Sequence, residues 1–323
     1  MKHNKLDCVD VGSEFCPCYL ADTNDCITCS HLQGKEFCDC HWKGVCVYQE
    51  YVMNGNKSKN GREKFITNIE DKIDINDQCK IVKLKVTKTL ARQLKEPGAY
   101  VFLRNISDET YYDVPMSIMD TDEINGYIYI AYQIVGTKTK KLDLATGKLM
   151  VRGPYWNGLF GIKYLKAVKN SHCLIVTKGI AQAPSVLVMK KLIKNGNKIT
   201  LIVDKGRVEK IFIKDYIKGL DIKIIETNLD SLKEKQLVKD ILNSQETSLV
   251  YSGGSDLLHD SIIKILDDLN IDPYLTATNN NDICCGEGVC GSCTVRLKDG
   301  SLVKTCKTQL DVREVIEGRI SID

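Results

Sequence analysis

Cysteine is the residue that most constrains what this chain can fold into. Of its 15 cysteines, eight fall within residues 8–46 and five within residues 284–306, while Cys79 and Cys173 lie between these groups. The first ten residues lack the apolar core of a secretory signal, so the sequence predicts a cytoplasmic protein. Thiols stay reduced in that compartment and disulfides are rare. Two dense groups of reduced thiols therefore predict metal sites.

Composition excludes several classes of function. The 323 residues suggest roughly two or three domains, at ~100–200 residues each. The 45 Lys and Arg residues against 42 Asp and Glu residues give a net charge of +3, which is not that of a polybasic nucleic-acid binder. No stretch approaches the ~18 consecutive apolar residues of a membrane-spanning helix. We therefore expect a protein with no nucleic-acid partner and no membrane span.

The sequence divides into four predicted parts. Residues 1–55 are rich in thiols and poor in apolar periodicity, so metal must stabilise this segment if it folds. Residues 62–154 carry short β-rich runs broken by Gly and Pro, which predicts an antiparallel β-barrel or sandwich. Residues 155–274 alternate strand and helix, which predicts a Rossmann-like parallel sheet with helices on both faces. Residues 275–323 contain the second thiol group.

Local patterns in the third part predict where its elements begin and end. Apolar runs predict strands over 173–176, 199–203, 222–225 and 249–251. Pro184 is expected as the first residue of a helix that stops at Gly196. Ser231 and Glu234 have the spacing of a capping box that opens a later helix. Ligands of such sheets bind at the carboxyl ends of the strands.

The C-terminal thiols have the spacing C-x4-C-x2-C-x12-C, which is typical of a plant-type [2Fe–2S] cluster. The expected ligands are Cys285, Cys290, Cys293 and Cys306. Glycines between them allow the loop to curl tightly, because glycine adopts positive φ at little steric cost. A structural zinc site usually takes two separated cysteine pairs, which fits this spacing poorly. Cys284 is expected to be a bystander, although a one-residue ligand swap remains open.

Residues 282–293, which follow the strand-rich and Rossmann-like parts, resemble the electron-transfer subunit family of dihydroorotate dehydrogenase. The small subunits of NADH-dependent ferredoxin:NADP oxidoreductase and of sulfide dehydrogenase are similar, and all lie in the ferredoxin-reductase superfamily. The resemblance covers about residues 80–323. It implies an antiparallel barrel that binds FAD, a Rossmann-like domain for NAD(P)H, and a small [2Fe–2S] domain. It also implies a redox partner protein or flavoprotein subunit, in a hetero-oligomer or homodimer.

The flavin motifs of the family are partly retained. The motif R-P-x-S reads Val114, Pro115, Met116 and Ser117, so a valine replaces the arginine that would pair with the FAD phosphates. Arg104 or a nearby lysine is a candidate to compensate.

A second flavin motif of the family, G-x-G-T, spans residues 136–139. Gly136 and Thr139 match the motif, and Lys138 replaces a glycine. A lysine at this position would contact a phosphate through its side chain, where a glycine would allow close approach of the backbone.

The nicotinamide motifs differ from the family pattern more than the flavin motifs do. The loop G-G-G-I-G-x-A-P corresponds to residues 177–184, in which Gly179 and Pro184 match. The later C-G-P motif corresponds to residues 252–254, where Gly253 is retained. Side chains in place of glycines disfavour close backbone approach to a pyrophosphate. Two interpretations stay open: an oxidoreductase that uses NAD(P)H, and a non-enzymatic relay or assembly protein with degenerate nucleotide-binding domains.

The N-terminal thiols precede the region of resemblance. They could hold two centres of four thiolates each, or seven thiolates and a histidine. Zinc and a further iron–sulfur cluster are both compatible with this part, which has no glycine-rich cluster loop. The candidate ligands are Cys8, Cys16, Cys18, Cys26, Cys29, Cys38, Cys40 and Cys46.

Four other residues have alternative interpretations. We expect His172 and His259 to be structural or surface residues. Asp204 either contacts a ribose or simply ends a strand. Trp156 either covers the flavin or packs.

Overall fold

The structure is a computed structural model that describes residues 6–229 and 232–320. The predicted capping box lies outside this description, because Ser231 and the side chain of Glu234 are not part of it. The N-terminal segment has little regular structure. Its elements are the strand β1 (Asp7–Cys8) and the helix α1 (Val47–Met53).

The second part of the chain forms a barrel-like antiparallel sheet, as predicted. In the described residues it has seven strands in the order β5-β4-β8-β2-β3-β7-β6. The strands are β2 (Lys64–Asn76), β3 (Cys79–Lys85), β4 (Tyr100–Asn105), β5 (Val114–Ser117), β6 (Asp120–Asp122), β7 (Tyr127–Gln133) and β8 (Lys148–Tyr155). Two short helices, α2 (Lys88–Gln93) and α3 (Thr137–Asp143), pack against it. Pro115 is tolerated in β5 because this strand lies at the edge of the sheet.

The third part forms the predicted Rossmann-like sheet. Among the described residues its strand order is β12-β11-β10-β13-β14-β9, and only the short β9 runs antiparallel to its neighbour. Its strands are β9 (Leu159–Phe160), β10 (His172–Lys178), β11 (Lys198–Asp204), β12 (Ile222–Glu226), β13 (Leu249–Gly253) and β14 (Tyr274–Thr278). Its helices are α4 (Ile162–Ala167), α5 (Gln182–Lys194), α6 (Leu232–Ser244) and α7 (Asp256–Asp268).

Both faces of this sheet are covered, which explains the continuous apolar runs of its strands. Alternate residues of β10 enter opposite cores: Ile175 packs in the core that holds Val186 of α5, and Leu174 packs in the core that holds Ile262 of α7. Helices on both faces are thereby confirmed.

One helix boundary was predicted wrongly. Helix α5 begins at Gln182, so Pro184 is its third residue and not its first. A proline is tolerated there because the N–H groups of the first helical turn have no partner within the helix. The predicted stop is confirmed: α5 ends at Lys194, and Gly196 adopts a left-handed φ of +79°.

The fourth part covers the edge of the Rossmann-like sheet. It contains β15 (Thr294–Arg296), β16 (Leu302–Lys304), β17 (Thr308–Gln309) and α8 (Val312–Ile320). Strand β17 pairs with β1, so the two thiol-rich regions meet in one small sheet. No helix in residues 6–229 or 232–320 is long and apolar enough to cross a membrane.

Candidate cofactor sites

A cavity of about 750 Å³ lies between the barrel sheet and the carboxyl ends of the parallel strands. We call it the interdomain cavity. Five of the predicted cofactor-binding residues line it: Pro115, Met116, Ser117, Thr139 and Pro184. The predicted residues Gly136, Gly179 and Gly253 do not, although Gly254 and Lys178 beside two of them do. The structure therefore brings at least one residue of each of the four family motifs to one cavity.

One buried side chain of the interdomain cavity lacks a partner. The Nε2 amide of Gln133, at the end of β7, is buried and has no hydrogen-bond partner among the described residues. Leaving such a donor unsatisfied costs about 1–3 kcal/mol. A bound molecule with an acceptor group would remove that cost, so the cavity fits a polar ligand.

The residues proposed to replace the missing arginine are occupied elsewhere. Arg104 Nη1 lies 3.4 Å from Asp113 Oδ1, and Lys138 Nζ donates to the Asp113 carbonyl at 2.8 Å. Neither side chain is among those that line the interdomain cavity. In the described residues, Arg104 is paired with Asp113 and does not line the interdomain cavity.

Asp204, at the end of β11, has a structural role. Its carboxylate accepts hydrogen bonds from the backbone N–H groups of Gly206 and Leu229, both at 2.8 Å. Lys178 Nζ lies 3.1 Å from the same carboxylate. Both oxygens are engaged, which favours the interpretation that Asp204 ends a strand and does not contact a ribose.

Trp156 packs and does not cover the interdomain cavity. Its indole N–H donates to the Gln93 carbonyl at 3.1 Å, and its ring lies 6.0 Å from the ring of Phe15. Asn157 beside it is fully buried and donates to the Thr308 carbonyl at 2.9 Å. This segment therefore fastens the C-terminal part to the barrel.

A buried chain of hydrogen bonds joins β13, α7 and β14, and no sequence pattern predicted it. Ser252 Oγ lies 2.7 Å from His259 Nδ1, and His259 Nε2 lies 3.1 Å from Thr278 Oγ1. Burial lowers the pKa of His259 to about 4, so the ring is neutral at neutral pH. Thr278 lines the interdomain cavity, so the chain of hydrogen bonds holds one wall in place. The predicted structural role of His259 agrees with this arrangement.

The four predicted C-terminal ligands lie together. Cys306 donates hydrogen bonds to Cys285 and Cys293, and Cys285 also interacts with Cys290. Hydrogen bonds from Cys306 lower the pKa of Cys285 to about 4 and that of Cys293 to about 6, and they raise the pKa of Cys306 itself. The neighbouring Cys284 is exposed. The thiol from the later segment thus joins the three from the loop.

The backbone of the C-terminal loop is shaped around these thiols. Gly286, Gly288 and Gly291 all have positive φ. A Cβ on Gly286 would lie 2.6 Å from the ring of Tyr155, so glycine is required there. The Glu287 N–H donates to Cys285 Sγ at 3.3 Å. Such backbone hydrogen bonds to sulfur are those that tune iron–sulfur clusters.

Two further observations bear on the metal. No three His, Cys, Asp or Glu side chains within residues 6–229 and 232–320 are arranged to hold a single metal ion. A [2Fe–2S] cluster divides its four thiolates between two irons, so it does not require three thiolates on one ion. In addition, the hydroxyl of Tyr100 is buried without a hydrogen-bond partner and interacts electrostatically with Cys306. A cluster sulfur would provide the missing acceptor, so the residues present fit the cluster.

The eight N-terminal thiols separate into two groups. Four of them, Cys8, Cys16, Cys18 and Cys26, line one small cavity, which we call the thiol cavity. The other four do not line it. Among these, the sulfurs of Cys38 and Cys40 lie 3.9 Å apart, Cys29 is buried and Cys46 is exposed.

A buried network of four charges joins the two thiol-rich regions. Arg62 Nη2 lies 2.8 Å from Asp10 Oδ1, and Arg62 Nη1 lies 3.1 Å from Glu287. Lys307 contacts Asp10 and lies 3.2 Å from Glu287. Burial would raise the pKa of Asp10, but Lys307 and Arg62 hold it below its usual value. Two positive and two negative charges thereby compensate one another out of water.

Comparison with known proteins supports the resemblance. No protein-family model matches this chain. The electron transfer subunit of dihydroorotate dehydrogenase B (NAD(+)) from Clostridium perfringens (strain 13 / Type A) is 26% identical over 202 residues, or 61% of this chain and 78% of that subunit. The probable electron transfer subunit from Methanocella arvoryzae (strain DSM 22066 / NBRC 105507 / MRE50) is 25% identical over 232 residues, or 70% and 82%. This chain is a homologue of these electron transfer subunits. The predicted resemblance is confirmed.

Solved structures agree on the fold. An NADH-dependent reduced ferredoxin-NADP oxidoreductase superposes with a TM-score of 0.63 at 19% identity, covering 77% of this chain and 89% of that one. A ferredoxin reductase of carbazole 1,9a-dioxygenase superposes with a TM-score of 0.53 at 13% identity, covering 67% and 69%. The fold is ferredoxin-reductase-like, with a barrel-like sheet and a Rossmann-like region.

Proposed function

We propose that this chain is the electron-transfer subunit of an iron–sulfur flavoprotein oxidoreductase. FAD would occupy the interdomain cavity, and Cys285, Cys290, Cys293 and Cys306 would hold a [2Fe–2S] cluster. NAD(P)H would be the electron donor or acceptor on one side, and a redox protein or flavoprotein subunit would be the partner on the other. The predicted division into residues 1–55, 62–154, 155–274 and 275–323 belongs to this proposal.

One observation carries the proposal: the interdomain cavity and the C-terminal thiols share a wall. Ser117 lines the cavity and is the register partner of Tyr100 across β4 and β5. Tyr100 is buried in the same cluster as Cys293 and Cys306. Paired residues of antiparallel strands have Cα atoms about 4.5–5.5 Å apart. A flavin beside Ser117 would therefore lie within a short distance of the cluster.

The residues of the chain would bind, orient and shield the two groups. When bound, FAD and the cluster supply the electron-carrying chemistry. Gln133 would donate its unpaired amide to the flavin, while Tyr100, Phe102 and Tyr155 exclude water from the buried side of the thiol loop. Tyr155 is held by its hydroxyl, which donates to Glu287 Oε1 at 2.9 Å.

A second candidate function rests on Val114, the cavity residue at the position where the family has an arginine that would pair with the FAD phosphates. Val114 stands where the family has an arginine, and Arg104 is paired with Asp113. A domain that no longer binds nucleotides would leave a non-enzymatic relay or assembly protein that contains only metal centres.

Anoxic purification separates the two functions. The first predicts protein-bound FAD, two irons in the C-terminal cluster and bleaching of the flavin by NADH or NADPH. Iron without flavin supports the second function, and a colourless, iron-free protein contradicts both.

A substitution tests the binding residue. Gln133→Leu keeps the size of the side chain and removes its amide, so we expect FAD affinity to fall about 2–10-fold, as for one lost hydrogen bond. Gln236→Leu, at an exposed position on α6, is the matched control. Equal FAD affinities in the two variants would show that Gln133 does not contact the flavin.

A further inference from the structure

We propose that Cys8, Cys16, Cys18 and Cys26 hold a second iron–sulfur cluster beside the C-terminal thiol loop. The structure selects these four from the eight N-terminal thiols because they alone line the thiol cavity. The inference rests on the proposed function only for the cluster at the C-terminal loop. It concerns a site that lies outside residues 80–323, over which the sequence resembles the electron-transfer subunit family.

The thiol cavity is small, with a volume of about 20 Å³, and its walls are mainly apolar. Apart from the four cysteines, its lining includes Leu20, Ile27 and Val47. All four are free thiols and not disulfides. Four thiols that face one small apolar space are a donor set for a thiophilic metal centre.

The arrangement favours a cluster over a single zinc ion. Zinc would require the four sulfurs to converge to about 2.3 Å from one point. Within the described residues, no three ligating side chains are arranged in this way. An iron–sulfur cluster distributes its four thiolates over several irons, with sulfide between them. Four thiols that line one cavity supply the number of ligands that such a cluster needs.

The position of the thiol cavity connects it to the C-terminal cluster. The Val9 N–H donates to the Lys307 carbonyl at 2.8 Å, and Lys307 directly follows the ligand Cys306. The ammonium group of Lys307 contacts Asp10 and interacts electrostatically with both Cys8 and Cys18. Thiolate ligands make both centres anionic, because metal binding releases the thiol protons. Lys307 places one buried positive charge between the two centres.

Metal analysis of the intact protein tests the proposal. After anoxic purification we expect more than two irons per chain, a matching amount of acid-labile sulfide and no stoichiometric zinc. The reduced protein should show two distinct electron paramagnetic resonance signals. Stoichiometric zinc, or no iron and no signal other than those of the C-terminal loop, would overturn the proposal.

Two variants locate the second centre. Cys18→Ala should lose the iron in excess of two and one of the two signals, and Cys46→Ala, an exposed thiol outside the thiol cavity, should lose neither. Equal loss in both variants, or no loss in Cys18→Ala, would contradict the assignment. If Cys18→Ala does not fold, the metal content of the intact protein still decides.

A third variant separates this proposal from the proposed function. Cys290→Ala removes a ligand of the C-terminal loop only, so it should abolish the other signal and retain the one that Cys18→Ala loses. If the C-terminal cluster is absent altogether, the proposed function fails while the N-terminal signal persists.

Discussion

The two thiol-rich regions differ in what holds their cysteines together. At the C-terminal loop, sulfur–sulfur hydrogen bonds link the thiols, and Gly286 packs on the ring of Tyr155. At the N-terminal segment, the four thiols of the thiol cavity face apolar side chains. The C-terminal loop therefore packs against a ring of the barrel, whereas the residues that line the thiol cavity all belong to the N-terminal segment.

This difference explains why spacing is informative in one region and ambiguous in the other. Three of the C-terminal thiols come from nine consecutive residues, so their spacing alone restricts the geometry. Among the N-terminal thiols, Cys8 lies in β1, which pairs with β17, and nearby Asp10 contacts Lys307, so the surroundings of Cys8 include residues that are distant in the sequence. Spacing is therefore enough to predict the metal ligands of the C-terminal loop, whereas those of the N-terminal segment can be chosen only with the structure.

Removal of one C-terminal ligand should have the largest effect. Cys306→Ala takes away the thiol that joins the loop from a later segment, so we expect the two irons of the [2Fe–2S] cluster to be lost while N-terminal iron remains. Iron analysis and visible absorption measure this. Cys284→Ala removes an exposed neighbour and should change nothing. If Cys284→Ala loses iron and Cys285→Ala does not, the ligand is Cys284 and not Cys285.

The charge network should be the next most sensitive feature. Lys307→Met leaves Asp10 and Glu287 buried with one positive charge fewer, which costs about 3–5 kcal/mol for a broken buried pair. Urea denaturation monitored by tryptophan fluorescence gives the free energy of unfolding. Lys298→Met breaks an exposed pair with Glu317, and it should cost less than about 1 kcal/mol. Similar losses in both variants would show that the network does not join the two regions.

Two glycines of the C-terminal loop separate backbone strain from steric overlap. Gly286 and Gly291 have φ of +72° and +78°, so alanine is strained at both. A Cβ added at Gly286 would lie 2.6 Å from the ring of Tyr155 and overlap it. A Cβ added at Gly291 would have its nearest neighbouring atom 3.9 Å away, so it would overlap nothing. We expect Gly286→Ala to cost about 1–3 kcal/mol more than Gly291→Ala, with lower iron content. Equal stabilities would show that Tyr155 moves aside.

The smallest expected effect concerns the Tyr100 hydroxyl. Tyr100→Phe should lower the midpoint potential of the C-terminal cluster by about 20–60 mV, because a lost hydrogen bond of about 0.5–1.5 kcal/mol no longer stabilises the reduced form. Redox titration followed by electron paramagnetic resonance measures the shift. Tyr251→Phe removes another buried, unpaired hydroxyl at β13, and it should leave the potential unchanged. Identical potentials in the unmodified protein, Tyr100→Phe and Tyr251→Phe would show that the Tyr100 hydroxyl does not interact with the cluster.

Much of the fold was predictable because apolar runs report burial directly. The run at 173–176 predicted β10, which extends over His172–Lys178, and the run at 222–225 predicted β12. The start of α5 was less accessible, since the first turn of a helix tolerates proline at more than one position. Local pattern fixes the type of an element better than its first residue.

The sites were predictable only where their residues are close in sequence. Ser117 and Thr139 belong to local motifs, and both line the interdomain cavity. Asp10 and Lys307 are 297 positions apart, so no local pattern indicates that they form an ion pair. The contact of Ser252 with His259 likewise depends on how β13 and α7 pack.

The pairing of β1 with β17 has a consequence for the order of biosynthesis. Cys8 emerges from the ribosome long before its strand partner Thr308. Asp10 must likewise wait for Lys307 before its charge is neutralised in the interior. The pair of β1 with β17 can therefore form only after the barrel strands and the parallel strands that lie between them in the sequence have been synthesised.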